Sequence, residues 1–238
     1  MMLLTMTLAS MLCAEAKPEG IRVSTWVRED IFAGFMTGDM VRFGAGMAKV
    51  DAILAASPGT PDAVAWRGGG LLLQAVRAFE SGQRGEFDRL YALAKGEFQR
   101  ATELETGDKA AVLAIAGGSY TVFADRVPPE YRREAWTKVR ENYLGLREIQ
   151  KDYFDKLPPH FRGELLAGLA QAEQRLGEQG NALNELIAAL PDSLYASRAR
   201  RWQGQPELAS KTSLTCQTCH DAGKLEAVQA RAKATRKP

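Results

Sequence analysis

The sequence predicts an all-α protein, an antiparallel array of helix pairs, on three observations. Apolar residues recur at helical spacing along most of the chain, junctions of proline with an acidic residue punctuate them, and strand-like alternation is scarce. The 238 residues are 45% hydrophobic and 25% charged, ample for a buried core and unlike a disordered chain. A formal charge of +2 gives no electrostatic case for a nucleic-acid partner.

The elements follow in order. Residues 1–16, MMLLTMTLASMLCAEA, read as an export signal: an apolar run ends in Ala14-Glu15-Ala16, an A-x-A cleavage site, although no basic residue precedes the run. A buried N-terminal helix is the alternative. The run falls short of the ~20 residues that cross a bilayer, so no membrane span is expected after cleavage, and the product is expected to be periplasmic or secreted. Cleavage removes Cys13 and leaves Met36, Met40 and Met47 as the methionines.

The body is placed at 17–205. IRVSTW (21–26) is the best strand signal and also suits a helix lead-in. Met36, Met40 and Met47 are spaced like a helical core stripe. Gly68-Gly69-Gly70 follows no strand, so it reads as close helix packing rather than a phosphate loop. Phe87, Leu90, Tyr91, Ala94, Phe98 and Ala101 lie on one helical face; Trp136, Val139, Tyr143 and Leu146 mark a long helix from Pro129 to about Lys156. Leu165, Leu166, Leu169, Ala172 and Leu176, then Leu183, Leu186, Ile187 and Leu190, continue the pattern. The junctions at 57–66, 104–113, 127–136, 157–166 and 190–202 each end one helix and start another, the last three about 30 residues apart. FQRATELETGDKAAVLAIAGGSY resembles a tetratricopeptide-repeat junction, a resemblance that spans about residues 30–203 and implies stacked helix pairs that bind protein partners.

After Trp202 the texture changes. Residues 203–215 are polar and read as a linker, and 206–238 are placed as a separate C-terminal segment with a basic tail. That segment holds Cys216-Gln217-Thr218-Cys219-His220 in a chain with three Cys and two His in all. In C-x-x-C-H the two thiols sit on one side of a turn, placed to add to the two vinyl groups of a porphyrin, and the next imidazole faces the iron. A redox dithiol lacks its βαβ setting, a disulfide across two residues is strained, and a zinc site needs distant His160 as a fourth ligand.

Over these five residues the chain resembles the c-type cytochromes. The resemblance implies one covalent haem c on Cys216 and Cys219, His220 as proximal iron ligand, and electron transfer with redox partner proteins. The late position of the motif is similar to that in cytochromes c′. Residues 221–238 contain neither Met nor His, so a sixth ligand is expected from the body. His160, in LPPHFRGEL, is the candidate, against an ordinary exposed turn residue; the three methionines are the others. Arg198, Arg200 and Arg201 read as a solvated face or as partners for haem propionates. No catalytic triad or acid pair stands in context, so a carrier is expected rather than an enzyme. Two other readings are a protein-interaction scaffold and a haem sensor or enzyme with open iron.

Overall fold

A computed structural model describes residues 22–215. The export signal at 1–16 and the three motif residues Cys216, Cys219 and His220 lie outside the described residues. Within them the chain is all-helical, with no strand: α1 Thr25–Thr37, α2 Met40–Ala56, α3 Pro61–Glu80, α4 Arg84–Leu104, α5 Ala110–Phe123, α6 Pro129–Gln150, α7 Pro159–Leu176, α8 Ala182–Ala189 and α9 Leu194–Gly204. Short 3-10 turns cover Phe154–Lys156 and Pro206–Ser210.

The helix starts follow from local chemistry. Pro61, Pro129 and Pro159 each open a helix, where the missing N–H is not needed. The Asp39 carboxylate accepts from the Val41 and Arg42 N–H groups, and the Ser193 hydroxyl accepts from Ala196 N–H, so α2 and α9 begin with satisfied donors. The Ser24 hydroxyl caps α1, which settles 21–26 as a helix lead-in as far as it is described. Gly38 ends α1 in the left-handed region at φ 72°. This break corrects the methionine reading: Met36 belongs to α1, and only Met40 and Met47 share α2.

The helices pack α1 on α2, α3 on α4, α5 on α6, and α7 on α8, with α3 also against α5 and α6 against α7. One continuous apolar core runs from Val23 to Leu214. The triple glycine lies inside α3, buried, as close packing requires: a Cβ on Gly69 would fall 2.7 Å from Ser119 Oγ, and one on Gly70 2.6 Å from Met47. The long helix stops at Gln150, earlier than expected, and Phe154–Lys156 forms only the 3-10 turn before Pro158 and Pro159.

Residues 206–215, which composition marks as a linker, are packed. Leu214 is fully buried, Ala209 is buried, and Trp202 Nε1 donates to Thr212 Oγ1 at 2.8 Å. No helix of the described residues is long and apolar enough to cross a membrane.

Two glycines give opposite expectations. A Cβ on Gly168 would collide with the buried Tyr143 ring, so Gly168→Ala should destabilise by about 1–3 kcal/mol. Gly96 is exposed in mid-α4 with nothing near it, so Gly96→Ala should stabilise by roughly 0.5–1 kcal/mol. Urea unfolding of both variants checks the pair.

Candidate haem-binding site

The described chain ends one residue before Cys216, and its last residues are tied to α7. Gln171, buried on α7, accepts through Oε1 from Leu214 N–H at 2.9 Å and from Ser213 Oγ at 3.0 Å. One turn on, Arg175 donates through Nε and Nη2 to the Asp125 carboxylate at 3.0 and 2.8 Å, and through Nη2 to the Thr212 carbonyl at 3.3 Å. Asp125 also accepts from Trp136 Nε1 at 2.8 Å, and the guanidinium lies 5.5 Å from the Trp136 ring. The point at which the chain reaches the motif is thereby fixed against α7, α6 and the loop after α5.

Two clefts are formed by opposite ends of α1, α5, α6 and α7, and the first adjoins that point. The first, of about 1030 Å³, is formed by the C-terminal ends of α1, α5 and α7 together with residues 210–215. Its walls are polar and basic: Arg126, Arg132, Arg175 and Lys211 surround Asp125, and Thr215 is part of the lining. Met36 is in this cleft, half-buried.

The second, of about 470 Å³, uses the other ends of the same helices. Its walls are mainly apolar, with the carboxylates of Glu29 and Glu164 among them. Ala110, Ala114, Ile115 and Gly118 give α5 a face of small residues, Phe32, Trp66 and Leu146 close the sides, and Phe161, 56% exposed, stands at the mouth. His160 lines this cleft from the first turn of α7, where Pro158 and Pro159 fix the backbone. Arg28 stands on the α1 side, and Gln150 has its Oε1 buried without a hydrogen-bond partner.

His160 Nδ1 lies 3.2 Å from the Tyr195 hydroxyl, which donates to Glu164 Oε1 at 2.6 Å. The sequence singles out His160 but not these partners. Glu164 lies four residues along the same helix, a readable spacing; Tyr195 comes from α9, with no local signal. Met40 and Met47 pack against the core, Met47 beneath Gly70. Arg198 and Arg201 line a smaller cleft with Trp202, and Arg200 donates to the Pro191 carbonyl at 2.9 Å. Among the described residues no group of three or more His, Cys, Asp and Glu side chains gathers to hold a metal ion.

Between α7 and α8, Glu173 accepts from Ala182 N–H at 3.2 Å, and its burial raises the carboxyl above its ordinary value of 4.5. No protein-family model, no curated protein and no solved structure matches this chain.

The Gln171 amide and the Glu173 carboxyl each give a test. Gln171→Leu leaves the Leu214 N–H buried without a partner, which costs ~1–3 kcal/mol, and limited proteolysis should then cut within 206–215 while α1–α6 stay protected. A raised acid disfavours its charged form in the fold. The stability it contributes is full below 4.5 and is lost as pH rises through the higher folded value. Glu173→Gln should therefore gain stability over the parent at pH 7, and the gain should vanish near pH 4 in parallel thermal melts.

Proposed function

We propose that this protein is an exported mono-haem c-type cytochrome: haem c is bound to Cys216 and Cys219, His220 is the proximal ligand and His160 the distal one. Its helical body, an array of tetratricopeptide-like helix pairs, docks redox partner proteins. The observation that carries the reading is the C-x-x-C-H motif itself, Cys216 to His220, in a chain with three Cys and two His in all. The chain leaves α7 at Gln171, so the motif begins within one residue of a point held on the body. His160 is eleven residues back along α7, about 16 Å of helix rise.

The two clefts differ in what they offer the group. A porphyrin is a flat apolar disc with two anionic propionates at one edge. The small-residue face of α5 offers a flat wall, and Phe32, Trp66 and Leu146 exclude water from the ring. Arg28 supplies a cation for a propionate, and the Gln150 amide, whose oxygen and nitrogen are interchangeable assignments, supplies a donor. The first cleft, which Thr215 lines, offers Met36 as ligand and Arg126, Arg132 and Lys211 as cations, with the Asp125–Arg175 pair in its wall, whereas the second sets Glu29 and Glu164 beside Arg28.

Bound haem supplies a one-electron couple. The residues of the chain would hold it: Cys216 and Cys219 through thioether bonds, with His220 and His160 as iron ligands. A carrier needs fixed ligands, whereas a sensor or enzyme needs an open iron position.

Expression with a haem-attachment apparatus tests the reading. Denatured protein should keep its haem, and the pyridine haemochrome should show the band of a doubly thioether-linked haem. His160→Ala should convert a low-spin spectrum to high-spin, while Met36→Ala leaves it unchanged. The opposite pattern would move the haem to the first cleft, and a colourless protein would leave the scaffold reading.

A further inference from the structure

We propose that the first cleft binds a small organic anion that carries two or more negative charges. The inference does not rest on the haem reading, which takes His160, in the second cleft, as distal ligand. It rests on which polar groups of the first cleft are already taken. Thr37 and Thr121 give their hydroxyl protons to the Ala33 and Gly117 carbonyls, at 2.6 and 2.8 Å. Ser210 donates to the Glu207 carbonyl, Thr212 to the Leu208 carbonyl, and Ser213 to Gln171 Oε1. The one carboxylate among the described lining residues, Asp125, is taken by Arg175 and Trp136.

Two of the four cations are taken as well. Arg175 holds Asp125, and Arg126 donates through Nε and Nη2 to the Glu80 carboxylate at 2.9 and 3.0 Å. Both stand at the C-terminal ends of helices, where the backbone dipole itself favours a cation. Arg132 and Lys211 have no such account. Both are exposed, and no ion pair among the described residues engages either of them. Arg132 uses only Nε, on the Val127 carbonyl at 3.3 Å. It is the fourth residue of α6, at the end of a helix where the dipole disfavours a cation.

What the cleft has left over is therefore cationic donors, and these fit an anion rather than a neutral or cationic molecule. Its volume of about 1030 Å³ is far more than a lone inorganic ion fills. It lies at the top of the range, roughly 300–1,000 Å³, that holds organic ligands. Met36 and Val122, both half-buried in the wall, offer an apolar surface to a carbon skeleton. Arg132 comes from α6 and Lys211 from the segment before the motif, so an anion that engages both ties that segment to α6. Its charge also offsets the dipole at the start of α6.

The test uses the full chain as exported, with pyrophosphate and citrate as probes in calorimetry and thermal melts. At least one probe should bind one to one and raise the melting temperature beyond sodium chloride of equal ionic strength. Pyrophosphate reports a phosphate-bearing ligand, citrate a polycarboxylate. Arg132→Gln and Lys211→Gln should each weaken that binding about tenfold, the loss of one charge-assisted hydrogen bond, with the parent's circular dichroism kept. Arg133→Gln, which removes an exposed cation outside the cleft, should leave the affinity unchanged. A melting shift no larger than the salt control overturns the site, and so does an equal loss of affinity in Arg133→Gln. Binding that haem loading abolishes overturns it too, because the haem then fills this cleft. A colourless protein that binds a probe overturns the haem reading and leaves the anion site standing.

Discussion

The arrangement depends on the need of one buried amide for partners. Gln171 sits among apolar residues on α7, where an unsatisfied side-chain oxygen would be costly. The fold meets that need with Leu214 N–H and the Ser213 hydroxyl, which come from the segment before the motif. The same two bonds stop that segment from behaving as a linker. Leu214 can then be fully buried, and Trp202 can place its indole N–H on Thr212. Without Gln171 the cysteines would follow a polar tether able to wander over the surface. With it, they follow a fixed point on the helix that also carries His160.

That fixed point adjoins the first of two chemically different clefts. At the C-terminal end of α7, Arg175 and Asp125 satisfy each other and pull in Trp136 and Thr212, so the charge there is largely spent on holding structure. At the N-terminal end the cleft is mainly apolar, with Arg28, Glu29, Gln150 and the hydrogen-bonded His160 and Glu164 in its lining. An ion pair at 2.8 Å in a partly buried setting loses much of its value if an apolar disc is pressed against it. The division of labour between the ends is therefore physical: one end holds the chain, and the other is suited to receive an apolar group.

Helical periodicity makes the core legible in the amino-acid sequence. The six apolar residues spaced along 87–101 are the buried set of α4, and Trp136, Val139, Tyr143 and Leu146 are all buried on α6. A helix buries one stripe, so local spacing suffices. Spacing misplaces the methionines because it does not see Gly38, whose left-handed backbone ends α1 between Met36 and Met40. Composition makes a linker of 203–215 because the partners that satisfy its polar residues, Gln171 and Trp202, precede them by 42 and 10 residues, and no local pattern encodes that. His160 is legible as a rare residue at a helix start. Tyr195 is not, since its relation to His160 exists only once α9 folds against α7.

The two imidazoles of the proposed centre differ in how they are held, and this bears on what a metal would do to the protein. His160 stands on a backbone fixed by two prolines, its ring oriented by Tyr195. His220 follows five residues after a chain held at Thr215, a residue already buried. The core among the described residues is continuous and complete from Val23 to Leu214. A core of this extent is unlike that of small domains whose metal is their core. A ligand bond from His160 would act instead as a staple between α7 and the C-terminal segment, adding to stability by linkage. Geometry set in advance by packing suits a site that moves electrons, because little around the iron then has to rearrange when its charge changes.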